Sequence, residues 1–126
     1  GFQGVLLSPG CADPFGPKAL RASMGAAARL SVVAVPHLPD ALAALRQRGV
    51  TALAAALYNS RPLDQVPAAL SGGVCLVIGS EGQGLSEAAV AACDAAVRIP
   101  ITDKVESLNA GVAGSVLLWH FRGAGR

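Results

Sequence analysis

Residues 74–85, VCLVIGSEGQGL, constrain this chain more than any other stretch. Five consecutive apolar residues, three of them β-branched, suit a strand buried on both faces of a parallel sheet. Gly79, Gly82 and Gly84 then interrupt the run, and Ser86 reads as the cap of a following helix. The segment is therefore a strand, a loop and a helix. In open α/β sheets, ligands bind beyond the carboxyl ends of strands, and glycines there let the backbone turn sharply and approach a ligand closely. The spacing is neither GxGxxG nor GxxxxGK[ST], and Glu81 puts a carboxylate where a phosphate cradle would need positive charge. A neutral or cationic ligand fits better; a tight turn without a ligand accounts for the glycines equally well.

A second segment, residues 98–121, reads RIPITDKVESLNAGVAGSVLLWHF. A short strand is expected over 97–101, closed by Pro100, and a helix over 107–121. Asp103 and Glu106 have the D-x-x-E spacing of a capping box, which favours cap chemistry over catalysis for both. Ser107 and Asn109 stand at the expected helix start, where both residue types are ordinary caps as well as candidate site residues. Upstream, strands are expected over 4–7, 30–35 and 52–56, and helices over 17–24, 38–48 and 63–70. Strands alternating with helices predict an α/β fold with a parallel sheet flanked by helices.

Composition fits one domain over residues 1–126, since a chain of this length with 52% hydrophobic residues can bury one substantial core. No apolar stretch approaches the roughly 18 residues of a membrane span, and residues 2–7 lack the basic flank of a signal peptide. The three cysteines, Cys11, Cys75 and Cys93, are odd in number and lack metal-ligand spacing. We expect reduced thiols, no metal site and a cytoplasmic protein. His37 and His120 are isolated in sequence, with no catalytic partner in view. A net charge of +2 is weak for a nucleic-acid binder, so any such footprint must be local. Lys18 and Arg21 are three residues apart on one face of a predicted helix, where they can hold a phosphate or form a solvated surface.

The segments GSEGQGLS and IPITDKVESLN, with the earlier ADPFGPKALRASMGA, resemble the SpoU/TrmH branch of the SPOUT methyltransferases. In that family the loop has the form G-x-E-G-x-G-L, and the later segment reads I-P-M-x-G-x-V-x-S-L-N before a helix rich in small apolar residues. The resemblance covers essentially the whole chain. It implies a C-terminal trefoil knot, an exception to the general avoidance of threaded chains. It further implies S-adenosylmethionine as cofactor, met by Gly79, Ile99 and Leu108 largely through backbone groups. The loop following the 52–56 strand completes that pocket, and Glu81, Ser107 and Asn109 are the polar positions around cofactor and acceptor.

The reaction implied is methyl transfer to a ribose 2′-hydroxyl of tRNA or rRNA by a homodimer, with Lys18 and Arg21 as RNA contacts. Family members also use an arginine from an N-x-x-x-x-x-R segment, which the resemblance puts just upstream of GFQGVLL; on this reading the domain is truncated at its N-terminus. Ile101 replaces the usual Met and Asp103 the usual Gly. Two other readings stay open: a noncatalytic RNA-binding or assembly module on the same fold, and an enzyme acting on a base nitrogen.

Overall fold

The computed structural model describes residues 1–125. Its strands are β1 (Gly4–Leu7), β2 (Ser31–Ala34), β3 (Thr51–Ala55), β4 (Arg61–Pro62), β5 (Val74–Val77) and β6 (Ala95–Arg98). Its α-helices are α1 (Pro17–Ser23), α2 (Leu38–Gln47), α3 (Glu87–Ala91) and α4 (Ala110–His120), with 3-10 turns at Ala26–Ala28 and Leu63–Gln65. The architecture is α/β, as expected, with every strand pair parallel. β1 and β2 form one small sheet, and β4, β6, β3 and β5 lie side by side in that order in a second.

The second sheet is built around β3, which pairs with β5 from Thr51 opposite Val74 and with β6 from Leu53 opposite Ala95. Side chains alternate across a strand, so β3 faces two cores. Ala52 and Ala54 join Leu42, Val77 and Cys93 on the side covered by α2 and α3. Leu53 joins Val97, Leu63, Leu117 and Phe121 on the side covered by α4. Full burial of a side chain such as Leu42 or Leu117 stabilises the fold by about 1.5–3 kcal/mol.

Asp94 clips three elements together at the end of the sheet opposite the loops that leave β3, β5 and β6. Its carboxylate accepts from the backbone N–H of Ala52 at 2.7 Å and from Arg46 Nε at 2.9 Å, while Arg46 Nη1 reaches the carbonyl of Ala92 at 3.2 Å. An open depression of ≈ 490 Å³ beside this clip is lined by Ala43, Gln47, Gly49 and Val50 as well as Arg46 and Asp94.

Several boundaries differ from expectation. The helix expected over 63–70 is a single 3-10 turn, because Val66 is extended (φ −105°, ψ 123°) and Pro67 has no N–H to continue a helical ladder. The strand expected over 97–101 runs instead over Ala95–Arg98, leaving Ile99, Pro100 and Ile101 in a loop. The last helix starts at Ala110 with Asn109 as its cap, so Asp103 and Glu106 form no capping box. Asp103 Oδ1 lies instead 3.4 Å from the hydroxyl of Thr102. Ser86 does cap α3, accepting from the N–H of Ala89 at 3.1 Å.

Candidate active site

The loop leaving β5 folds back on itself. Gly84 N–H donates to the carbonyl of Ser80 at 2.9 Å, and Gln83 N–H reaches Ser80 Oγ at 3.3 Å. Gly84 takes a left-handed φ of 65°. A Cβ on Gly79 would lie 2.6 Å from both the carbonyl oxygen of Gly84 and the nitrogen of Leu85, closer than packed atoms come. Gly79 is therefore what lets the loop close.

Closure brings Glu81 to Asn109, 28 residues later. Asn109 Nδ2 donates to Glu81 Oε1 at 2.6 Å, while Asn109 Oδ1 accepts from the N–H groups of Gly111 at 2.9 Å and Val112 at 3.2 Å. One amide thus caps α4 and orients the carboxylate on the β5 loop.

Between these loops lies a cleft of ≈ 790 Å³, within the size range of small-molecule sites. Gly79, Glu81, Ile99, Ser107 and Leu108 all line it. Asn109 is exposed and not among the lining residues, and it acts on the cleft through Glu81. The loops after β3, β5 and β6 meet here because parallel strands deliver their carboxyl ends to the same side. Ile78, Val97 and Leu117 supply apolar wall. The backbone N–H and C=O groups of Gly79, Ile99 and Leu108, all half-buried, make no backbone hydrogen bond among the described residues. Half-buried main-chain groups left in this way are open to a ligand.

Tyr58, Asn59, Glu87 and Arg98 also line the cleft, although the sequence did not single them out. The position of the first two beyond a β3 strand was the available signal. Arg98 Nη1 donates to the carbonyl of Ser60 and so ties the β3 loop to β6. Lys18 and Arg21 sit exposed on α1 and do not line the cleft. Beneath the site, burial pushes the Cys93 thiol up to about 11, helped by Cys75 and Asp94 and opposed by Arg46, and burial also raises Cys75. Among the described residues no group of three or more His, Cys, Asp or Glu side chains is gathered as a metal site. No described helix is long and apolar enough to cross a membrane.

Comparison with known proteins agrees with the geometry. The chain is 34% identical over 123 residues to the 23S rRNA (guanosine(2553)-2′-O)-methyltransferase RlmP of Bacillus subtilis, covering 98% of this chain and 48% of that protein. The solved rRNA methyltransferase from Sinorhizobium meliloti superposes with a TM-score of 0.86 at 28% identity, over 97% of this chain and 46% of that one. The SpoU methyltransferase AviRb from Streptomyces viridochromogenes, solved in complex with AdoMet, gives 0.82 at 26% identity, over 94% and 46%. The chain spans about half or less of the length of the curated relatives it matches. The SpoU rRNA Methylase family model matches residues 1–119, and the chain belongs to that family.

Proposed function

We propose that the cleft binds S-adenosylmethionine and directs its methyl group to a ribose 2′-hydroxyl of rRNA or tRNA. The observation that carries this reading is the convergence of Gly79, Ile99 and Leu108, with unpaired main-chain groups, around one cleft whose wall includes the oriented carboxylate of Glu81. These residues fit the cofactor: main-chain donors and acceptors suit an adenine edge, apolar walls suit its ring, and a carboxylate suits a sulfonium cation. When bound, S-adenosylmethionine supplies an electrophilic methyl group, whose transfer breaks a C–S bond, forms a C–O bond and releases the hydroxyl proton.

The chain's own contribution is positioning. Glu81, held by Asn109, presents its carboxylate on the cleft wall. Ser107 Oγ lines the cleft with no hydrogen-bond partner among the described residues, so it is free to bind an incoming polar group. Apolar side chains on the remaining wall exclude water and align the reactants, which contributes to rate through orientation. Lys18 and Arg21, exposed and three residues apart on α1, would hold RNA phosphate away from the cleft.

We extend the proposal to the chain path and assembly. Family membership supports a trefoil knot in the C-terminal part, and mechanical stretching from both ends tests it: a knotted chain stops short of the full contour length. Val112, Val116 and Trp119 expose an apolar stripe on α4, which supports a homodimer through that helix. A dimer acting on RNA with this cofactor belongs in the cytoplasm.

The test is methyl transfer from labelled S-adenosylmethionine to unmodified ribosomal and transfer RNA by the full-length protein. Label recovered as 2′-O-methylnucleoside supports the reading. Label on a base nitrogen, or cofactor binding without transfer to any RNA, overturns it, the latter in favour of a noncatalytic module.

A further inference from the structure

Tyr58 is one of only five aromatic residues other than histidine in the chain, and it is 83% exposed while lining the cleft. An exposed ring on a loose loop would mean little, but this loop is pinned at both ends. Ala56 N–H donates to the carbonyl of Val97 at 3.0 Å on one side, and β4 pairs with β6 on the other, Arg61 opposite Val97. Arg98 holds the carbonyl of Ser60 between them. Within the same four residues, Asn59 takes a left-handed φ of 52°, which asparagine tolerates better than most side chains. Arg61 is exposed, and among the described residues it makes no ion pair.

We propose that residues 58–61, Tyr-Asn-Ser-Arg, are a nucleotide-binding platform at the lip of the cleft, with single-stranded RNA as ligand. Tyr58 supplies a face for an unstacked base, Asn59 an amide for its edge, and Arg61 a cation for the adjoining phosphate. Sequence-tolerant recognition of single-stranded RNA combines these same elements: an aromatic face, hydrogen-bonding edges and a basic contact to the backbone. The exposure of Tyr58 favours a base arriving from solvent over the adenine of a cofactor enclosed by Ile99 and Leu108. The assignment rests on the RNA-directed reading of the cleft.

The experiment measures fluorescence anisotropy of a labelled, short, mixed-sequence single-stranded RNA with the full protein, and calorimetry with S-adenosylmethionine in parallel. Tyr58→Ala is expected to weaken RNA binding about tenfold, and Tyr58→Phe to stay within about twofold of wild type. Arg61→Gln is expected to lower the slope of log Kd against log salt by about 0.7, the signature of one phosphate contact to a single strand. Cofactor affinity stays unchanged in Arg61→Gln, since Arg61 is not among the cleft-lining residues, and in Tyr58→Ala it falls by much less than RNA affinity. The proposal is overturned if Tyr58→Ala binds RNA as wild type does, if Phe loses as much as Ala, or if the wild type binds no RNA. It is also overturned if Tyr58→Ala weakens the cofactor and RNA equally, which would place the ring in the cofactor pocket. Wild-type RNA binding without cofactor binding would sink the methyltransferase reading and leave the platform standing.

Discussion

Asn109 does two jobs with one amide: its oxygen caps α4 and its nitrogen holds Glu81. The two are separable by substitution. Asn109→Asp keeps a capping oxygen and loses the donor to Glu81, placing two carboxylates together. The helix should hold while methyl transfer falls about ten- to a hundredfold, the scale of a lost hydrogen bond to a charged group. Asn109→Ala should cost about 1 kcal/mol of stability as well, from the lost cap. Thermal unfolding and initial rates, measured on both variants, check the separation; equal stability loss in the two would contradict it. Cys93 gives a pH test. Its thiol is raised from 9.0 to about 11 by burial, so an unfolded chain gives up this proton near pH 9 while the folded chain keeps it. Between those values the unfolded state binds fewer protons and unfolding becomes easier as pH rises. The contribution is whole below about pH 9 and is lost as pH rises through about 11. Cys93→Ala should flatten the decline in urea midpoint over that window, and an unchanged slope would rule Cys93 out as its source.

At the scale of elements, what was legible in the sequence was what local chemistry decides. The apolar run before Gly79 appears as β5, and Ser86 caps the helix after it. Residues 63–70 misled because Leu, Ala and Ala read as helical while Pro67 alone ends the turn. β4 is only two residues long and is defined by its pairing to β6, a contact between distant residues that no local pattern encodes. The start of α4 was ambiguous because Ser107 and Asn109 are both good caps; in the structure it is Asn109 Oδ1 that accepts from Gly111 and Val112. Of the expected cleft residues five reach the wall: Gly79, Glu81 and Ile99 follow strands whose ends converge, and Ser107 and Leu108 precede α4. The loop after β5 is the element most sensitive to substitution. Gly79→Ala puts a Cβ against the backbone of Gly84 and Leu85, so the loop must open, at a cost of about 1–3 kcal/mol typical of overpacking. Calorimetry should then find cofactor binding lost, although far-ultraviolet circular dichroism stays native-like. α4 has a different vulnerability. Leu117 is fully buried and also borders the cleft, so Leu117→Ala should lower stability by about 2–5 kcal/mol in denaturant unfolding.

Across the whole molecule, α4 is apolar on both sides. Gly114, Leu117 and Phe121 face the core, and Val112, Val116 and Trp119 face outward. A helix apolar all round is usually covered all round. Trp119→Glu is therefore expected to convert a dimer to a monomer in sedimentation velocity at micromolar concentration, and a wild type that sediments as a monomer would overturn the assembly. The threading and assembly we propose are what the residues say least about, because both depend on how distant segments pass one another rather than on any pattern within a segment. The arrangement of β5 and β6 on either side of β3 has a further consequence. The two walls of the cleft are carried by strands two places apart, a separation of roughly 9.6 Å set by backbone hydrogen bonding alone. The gauge of the opening belongs to the sheet and its chemistry to the loops. Descendants of such a chain can change what the cleft accepts by rewriting residues 57–61 or 99–108 while the aperture itself is inherited unchanged.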